Sequence, residues 1–204
     1  MIKAIVFDIG GVLVDLNYNQ ALQSFRTKAG FENIEEFLDP WRQRGFFSDM
    51  EEGKLSEEEF TEECLKHCRP GTRPEVLEEC LNDFIVGMNP RKAQIIKALY
   101  GKYELGLLSN NNPISMRCCE RLMQNNGIPM KQYFRKRFIS SDMKMVKPEA
   151  DIYLAAIAEL GCRPEEILFV DDSQKNVDAA LSLGINARLC RTDEDFFAIF
   201  APMI

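Results

Sequence analysis

Short apolar runs alternate with helix-like segments along most of this chain of 204 residues, and this alternation limits the possible folds more than any other feature. The apolar runs have the length of buried strands and cover residues 2–7, 104–109, 137–141, 167–170 and 186–190. Apolar residues at three- and four-residue spacing predict helices over residues 90–100, 114–125, 150–160 and 176–183. Strands that alternate with helices favour parallel pairing with right-handed crossovers. The sequence therefore predicts an α/β fold, a Rossmann-like parallel sheet with helices on both faces.

One long segment, residues 16–87, breaks the alternation. It carries only helix-like patterns, over residues 19–29, 34–43, 56–68 and 73–86. The segment begins where the first strand ends, and the carboxyl ends of parallel strands form the ligand-binding edge of such sheets. We therefore expect an all-helical cap domain of residues 16–87 over a core domain of residues 1–15 and 88–204.

The charge and the cysteines indicate which environments suit the protein. Lys and Arg number 25 and Asp and Glu number 32, a formal net charge of −7, which argues against nucleic acid or an anionic membrane as partner. No apolar run approaches the ~18 residues of a membrane-spanning helix. Seven scattered cysteines without a secretory leader are typical of a reducing compartment. We expect a cytoplasmic protein that is a monomer or a weak homodimer.

Polar residues follow four of the predicted strands. They are Asp8, then Ser109 with Asn110, then Lys147 after a loop, and then Asp171 with Asp172. Carboxylates that face one another need a counter-charge or must bind a proton. A hard cation such as Mg²⁺ supplies that charge, and it prefers few carboxylates together with water and a substrate phosphate. Hydroxyl and ammonium groups donate to phosphate oxygens, so the set has what phosphoryl transfer through an aspartyl-phosphate requires.

Four segments carry these residues: FDIGGVLVD at 7–15, LLSN at 107–110, VKPE at 146–149 and FVDDS at 169–173. Their sequence and order resemble the four motifs of the haloacid dehalogenase superfamily, in the branch with a helical cap after the first motif. The segment MEEGKLSEEEF at 50–60 is similar to the cap of sugar-phosphatase-like members. The resemblance implies a Mg²⁺-dependent phosphatase whose partner is a small phosphorylated metabolite, a sugar phosphate.

The resemblance also implies how the phosphate is handled. Asp8 would be the nucleophile that attacks phosphorus. Ser109 and the backbone N–H of Asn110 would hold phosphate oxygens. Lys147 would neutralise the aspartyl-phosphate and the transferring group.

A set of metal ligands follows from the same resemblance. Asp8 and Asp172 would bind Mg²⁺ through their carboxylates, with Asp171 as a direct or water-mediated partner. The backbone carbonyl of Gly10 would be a further ligand.

The chain departs from the family pattern at Gly10. Phosphatases of the family normally carry a second Asp there, which protonates the leaving oxygen and later activates water. Such assistance is worth about 10²–10⁴ in rate. One hypothesis is a phosphatase whose leaving group is acidic, such as the anomeric oxygen of a sugar 1-phosphate, or in which a cap side chain or water replaces the acid.

A second hypothesis for Gly10 is a phosphate-binding pseudoenzyme without turnover. A third is a true haloacid dehalogenase, which attacks carbon. Asp171 and Asp172 argue against the third, because two carboxylates beside the nucleophile would repel a carboxylate substrate.

The cap is expected to set the specificity, since the core residues read only phosphate. An aromatic and basic cluster could stack on or pair with a sugar, although packing of the cap explains it equally well. Its members are Trp41, Arg42, Arg44, Phe46 and Phe47. Tyr18 and Asn19 could line the mouth of the site, and His67 is the only histidine available as an acid or base.

Overall fold

The computed structural model describes residues 1–39 and 43–204. Within them the strands are β1 (Ala4–Phe7), β2 (Asp15–Leu16), β3 (Ile85–Gly87), β4 (Glu104–Ser109), β5 (Lys136–Ile139), β6 (Ile167–Asp171) and β7 (Asn186–Leu189). The α-helices are α1 (Tyr18–Ser24), α2 (Phe46–Glu51), α3 (Glu57–His67), α4 (Pro74–Asn82), α5 (Pro90–Leu99), α6 (Pro113–Asn125), α7 (Met130–Tyr133), α8 (Ser140–Met143), α9 (Ala150–Leu160), α10 (Gln174–Ser182) and α11 (Asp193–Phe200). A π-helical turn at Phe25–Ala29 follows α1, and 3₁₀ turns cover Ile34–Glu36, Pro164–Glu166 and Ala201–Met203.

Five of these strands form one parallel sheet in the order β5–β4–β1–β6–β7. All four residues of the central strand β1 are buried, because strands flank it on both edges and helices cover both faces. A strand of this kind is apolar throughout rather than alternating. The parallel sheet confirms the predicted α/β fold.

Helices pack on both faces of the sheet, as predicted. Ile5 and Phe7 of β1 lie in an apolar cluster with residues of α5, α6 and α11. Ala4 and Val6 lie in a second cluster with residues of α9 and α10. Successive residues of a strand point to opposite faces, so the two clusters bury the two faces of the same strand.

A third apolar cluster lies in the cap, residues 16–87. Phe25 is one of its fully buried members, and Ile114 of α6 joins it from outside the cap. Arg117, also on α6, donates two hydrogen bonds of 2.7 and 2.8 Å to the carboxylate of Glu57 on α3. The helix after β4 therefore packs against both the sheet and the cap.

The end of the cap is not helical, contrary to the predicted helix over residues 73–86. Helix α4 ends at Asn82, and β3 pairs with β2 in a short antiparallel ribbon. The Asn17 amide donates to the Phe84 carbonyl at 2.8 Å beside this ribbon. The chain must leave and re-enter the core at neighbouring points, and this long-range pairing overrides the helical pattern of the segment.

One further prediction for the cap needs correction. The predicted helix over 34–43 is wrong in its described part, where only the turn Ile34–Glu36 is helical and the backbone up to residue 39 is not. A residue that precedes proline is disfavoured in the helical region, and Pro40 follows in the sequence.

The structure also bears on the membrane and cysteine expectations. Over residues 1–39 and 43–204, no helix has the length and apolar character that crossing a membrane requires. All seven cysteines are free thiols. The cytoplasmic location itself stays a prediction.

Candidate active site

Asp8 lies directly after β1, at the carboxyl edge of the sheet. Its amide donates to the Val170 carbonyl of β6 at 2.9 Å, and its carboxylate accepts a 2.7 Å hydrogen bond from the Ile9 amide. The residue is only 8% exposed. The end of the central strand therefore fixes this carboxylate in a largely dehydrated position.

Lys147 reaches the same point from the loop that follows α8. Its Nζ lies 3.0 Å from Asp8 Oδ2 and 2.6 Å from Asp171 Oδ2. Burial alone would lower the pKa of Lys147, but the charges of Asp171 and Asp8 outweigh it and raise the pKa above its usual value. The ammonium group therefore stays charged between the two carboxylates.

Asn110 fixes the backbone of that loop. Its side-chain amide donates to the Lys147 carbonyl at 2.9 Å, and its side-chain oxygen accepts from the Lys147 amide at 2.8 Å. The predicted role for Asn110 involved only its backbone N–H. The side chain has a positioning role that the sequence does not reveal, because the two partners are 37 residues apart.

Asp171 has both carboxylate oxygens occupied. Oδ1 accepts from the Ser173 amide at 2.8 Å and from the Asn176 side chain at 2.9 Å, and Oδ2 accepts from Lys147 at 2.6 Å. The residue is fully buried. Asp171 is therefore built to orient Lys147, and the neighbouring Asp172 is the freer ligand.

The three carboxylates form a donor set for a hard cation. Oxygen atoms of Asp8, Asp171 and Asp172 all lie within 4.8 Å of one another. Burial, with added repulsion from Asp171 and Asp172 and opposed by Lys147 and a hydrogen bond from Ser109, raises the pKa of Asp8 to about 7. Burial, followed by repulsion from Asp171, raises the pKa of Asp172 to about 6. Excess negative charge and oxygen ligands fit Mg²⁺.

Mg²⁺ is accordingly expected to raise the melting temperature more at pH 7.5 than at pH 5. The folded pKa values of Asp8 and Asp172 lie above the model value of 3.8, so in the metal-free protein stability falls as pH rises from about 4 to about 7. At pH 7.5 the ion meets ionised ligands, and at 100 times its Kd it adds about 2.7 kcal/mol, or about 5–10 °C. Thermal unfolding with Mg²⁺ or with KCl of equal ionic strength measures this, and equal Mg²⁺ shifts at both pH values would contradict it.

Gly11 gives Asp172 room to approach. Its φ is +71°, and a Cβ there would lie 2.3 Å from Asp172 Oδ2. Gly10 is different, because a Cβ there would meet only the side chain of Leu16, at 2.9 Å. Position 11 therefore requires glycine. At position 10 neither the backbone conformation nor a neighbouring carboxylate requires it.

Gly11→Ala is expected to weaken Mg²⁺ binding by at least about tenfold, because the new methyl group would displace Asp172, one of the three carboxylates that could hold the metal. Left-handed backbone adds a cost of about 1–2 kcal/mol in stability. Gly101→Ala is a matched control, since φ is +83° there and nothing lies within 4 Å of the added Cβ. Calorimetric Mg²⁺ titration of both variants measures the difference, and equal affinities would show that only backbone strain matters.

The predicted specificity cluster does not come together at this site. Phe46 and Phe47 are buried in the apolar cluster of the cap, and Arg44 lies 3.2 Å from the Asp39 carboxylate. Trp41 and Arg42 lie outside the described residues. The packing explanation is therefore correct for the two phenylalanines.

Two of the three other polar candidates of the cap, Tyr18 and His67, make contacts within the cap. The Tyr18 hydroxyl donates to the Leu38 carbonyl at 2.8 Å, within the cap, and Asn19 is exposed. The His67 ring stacks on Phe31 with centroids 5.0 Å apart. His67 is thus part of the cap packing rather than of the carboxylate site.

Glu51, at the end of α2, is the site residue that the sequence analysis missed. Burial raises the pKa of Glu51 to about 8, with further repulsion from Glu52 and Asp8 and an opposing attraction to Lys147. The interaction with Asp8 and Lys147 places this cap residue beside the site. Its only sequence signal was its position in the segment 50–60 that is similar to sugar-phosphatase caps.

The buried Asp at the end of a central parallel strand, the paired Asp residues three motifs later and the Lys between them define a haloacid dehalogenase-type hydrolase. A family model of haloacid dehalogenase-like hydrolases matches residues 2–184. The chain belongs to this family. It is 35% identical to a D-ribitol-5-phosphate phosphatase of Bacteroides thetaiotaomicron, over 90% of this chain and 89% of that protein. It is 25% identical to a phosphorylated carbohydrates phosphatase of Thermotoga maritima, over 90% of this chain and 82% of that protein.

Solved structures agree with the family. A haloacid dehalogenase family enzyme of Bacteroides thetaiotaomicron, crystallised with magnesium and inorganic phosphate, superposes with a TM-score of 0.90 at 30% identity, over 98% of this chain and all of that chain (100%). A HAD-like hydrolase from Porphyromonas gingivalis gives 0.89 at 34% identity, over 100% and 98% of the two chains. An L-2-haloacid dehalogenase of Xanthobacter autotrophicus, at 19% identity and a TM-score of 0.61, shares the fold, over 97% of this chain and 81% of that chain.

Proposed function

We propose that this protein is a Mg²⁺-dependent phosphatase that hydrolyses phosphomonoesters of a small sugar or sugar alcohol through an aspartyl-phosphate on Asp8. One observation carries the proposal. The Asp8 carboxylate is buried at the sheet edge, 3.0 Å from the Lys147 ammonium, and grouped with two further carboxylates. A nucleophile, a fixed ammonium group and a set of carboxylates that could bind a metal thus lie together at the edge of the sheet.

The metal would be held by Asp8, Asp172 and the backbone carbonyl of Gly10. Asp171, whose oxygens are already used, would support the metal directly or through water while orienting Lys147. When bound, Mg²⁺ neutralises the carboxylates and polarises the phosphoryl group. The repulsion that raises the pKa of Asp8 and Asp172 supports this assignment.

The chain's own residues divide the reaction into two displacements. Asp8 attacks phosphorus and releases the alcohol, and water then attacks the phosphorus of the aspartyl-phosphate and restores Asp8. Lys147 neutralises the charge of the transferring group in a dry site, where such an interaction is strong. The Ser109 hydroxyl and the Asn110 N–H bind phosphate oxygens.

The names of the relatives support a carbohydrate-type substrate. The Bacteroides relative is named for D-ribitol 5-phosphate and the Thermotoga relative for phosphorylated carbohydrates. A phosphate on a terminal alcohol is one candidate substrate for this chain. A sugar 1-phosphate is a second candidate, favoured by Gly10, because an anomeric oxygen leaves more easily without a proton donor.

The proposal includes the cap as the element that sets specificity. A cap domain of residues 16–87 would close over the core domain of residues 1–15 and 88–204, and would exclude water during the first displacement. We place such an enzyme in the cytoplasm, as a monomer or weak homodimer.

Phosphate release from a substrate panel tests the proposal. The panel contains D-ribitol 5-phosphate, other terminal sugar phosphates and sugar 1-phosphates, each with Mg²⁺ or with EDTA. We expect turnover that requires Mg²⁺. No release from any ester, by folded protein that still binds Mg²⁺, would instead indicate a phosphate-binding protein that Gly10 has left without turnover.

A further inference from the structure

We infer that Glu51 of the cap is the proton donor of this enzyme and takes over the task that Gly10 leaves without a side chain. The inference rests on the proposed phosphatase function. It concerns a catalytic residue on a different segment of the chain, 41 positions from Gly10, so the motif around Asp8 gives no sign of it.

The end of α2 is fixed at the carboxyl edge of the sheet. The Ser140 hydroxyl, which follows β5, donates to the Glu51 carbonyl at 2.5 Å. The same hydroxyl accepts from the Asn111 amide, which follows β4, at 3.0 Å. Glu51 is thereby attached to the segments that follow β4, the neighbour of β1, and β5, the edge strand beside β4.

Gly53 strengthens this attachment. Its φ is +67°, and a Cβ there would lie 2.2 Å from the Ser141 carbonyl oxygen. The turn after α2 therefore packs against the start of α8 with backbone against backbone. Such close packing gives Glu51 a defined position rather than that of a mobile cap side chain.

The carboxyl group of Glu51 lies within electrostatic range of the reacting groups. Its electrostatic interactions are with Glu52, Asp8 and Lys147. Its backbone carbonyl is bound by Ser140, but within the described residues the carboxyl group makes no hydrogen bond and no ion pair. A half-buried carboxyl group without a hydrogen-bond partner near a buried nucleophile is available for substrate.

The protonation state suits the task. Burial raises the pKa of Glu51 to about 8, so the group carries a proton at neutral pH. A general acid works best when its pKa lies near the operating pH. A neutral acid also avoids repelling the phosphate dianion.

The proton balance closes over the two displacements. Asp8 forms a bond to phosphorus, the bond between phosphorus and the ester oxygen breaks, and Glu51 gives its proton to that oxygen, which leaves as the alcohol. The Glu51 carboxylate then takes a proton from water as the water oxygen attacks phosphorus. The bond between phosphorus and Asp8 breaks, and phosphate leaves with Asp8 and protonated Glu51 restored.

Other titratable groups near the site are engaged. The Tyr153 hydroxyl donates to the Asn176 carbonyl at 3.1 Å. Asp15 lies 3.5 Å from the buried Lys92 ammonium, and His67 is stacked in the cap. Glu51 is thus the candidate that interacts electrostatically with Asp8 and whose carboxyl group has no hydrogen bond or ion pair among the described residues.

The test compares Glu51→Gln on two esters whose leaving groups differ in their need for a proton. On D-ribitol 5-phosphate, or on the sugar phosphate that the wild type hydrolyses fastest, kcat should fall about 10²–10⁴-fold. On p-nitrophenyl phosphate, the pre-steady-state burst of p-nitrophenolate should change less than about threefold, because that leaving group needs no proton. The slow phase after the burst should become slower, because the base of the second displacement is also lost.

Two variants and a binding measurement complete the design. Glu52→Gln, the adjacent acid on the same segment, should retain the wild-type rate on both esters. Glu51→Asp should be more active than Glu51→Gln, because it keeps a carboxyl group. A Mg²⁺-dependent rise in melting temperature shows that each variant is folded.

The outcomes separate this inference from the proposed function. Two results with an active wild type would overturn the role of Glu51 alone. In the first, Glu51→Gln is as active as the wild type on the sugar phosphate. In the second, Glu51→Gln loses the p-nitrophenolate burst by the same factor as it loses kcat on the sugar phosphate. A wild type without Mg²⁺-dependent turnover overturns both.

Discussion

Asp8→Asn is expected to lower phosphate release by at least about 10³-fold, because an amide cannot form the covalent intermediate. The variant should still bind the substrate, so the loss should appear in kcat. The fold should not suffer. Burial and the neighbouring carboxylates raise the pKa of Asp8 to about 7, so the ionised group is unfavourable in the folded protein and a neutral amide removes that cost. Lys147 keeps Asp171 as its partner at 2.6 Å. Phosphate release and thermal unfolding of the same samples measure the two effects.

Asp15→Asn is the matched control for this change. Asp15 ends the same motif, and its side chain is about half exposed (48%), 3.5 Å from Lys92. Removing its charge should leave turnover within about twofold, because the buried Lys92 keeps its closer partner Asp193 at 2.8 Å. Asp8→Asn protein that keeps a tenth of the wild-type rate would rule out Asp8 as the nucleophile.

The sequence predicts the core well because its signals there are local. The burial of β1 and β4 follows from continuous apolar runs, and parallel pairing follows from the alternation of strands and helices, whereas the order β5–β4–β1–β6–β7 comes from the structure. Asp8, Lys147 and Asp171 meet because the ends of parallel strands share one edge. Strand ends and one loop predict that these residues meet, and the structure supplies the distances of 3.0 and 2.6 Å.

The features that the sequence did not predict depend on contacts between distant segments. The β2–β3 ribbon joins residues about 70 positions apart along the chain. The hydrogen bonds between Asn110 and Lys147 and the seating of Glu51 on Ser140 likewise join separate motifs. No periodicity or short motif encodes such pairs, since each needs the tertiary fold to exist first. This explains why Gly10 could be recognised as a missing acid while its replacement could not be named.

Lys147→Met is expected to reduce both stability and activity. Lys147 is only 4% exposed, and its ammonium group lies between the carboxylates of Asp8 and Asp171. Without it, two buried carboxylates remain uncompensated, which costs about 3–5 kcal/mol at neutral pH in the absence of Mg²⁺. Activity should fall at least about 10²-fold, because the charge that stabilises the transferring phosphoryl group is gone.

The pH dependence of that loss identifies its cause. Burial already raises the pKa values of Asp8 and Asp172, and the Lys147 charge opposes that rise, so removing the ammonium raises both values further above their unfolded values. The folded variant then takes up protons that the unfolded chain releases, and its stability falls as pH rises. The gap between variant and wild type should therefore be larger at pH 7.5 than at pH 5, as measured by urea unfolding without Mg²⁺. A packing defect would give the same gap at both pH values.

Lys144→Met tests whether charge on this loop matters in general. Lys144 lies three positions before Lys147 on the same loop and is exposed, so its loss should change stability by less than about 0.5 kcal/mol. Mg²⁺ should restore part of the stability of Lys147→Met, because the ion compensates the same carboxylates. It should restore little of the activity, because an ion held by Asp8 and Asp172 cannot also occupy the position between Asp8 and Asp171 that the ammonium group fills.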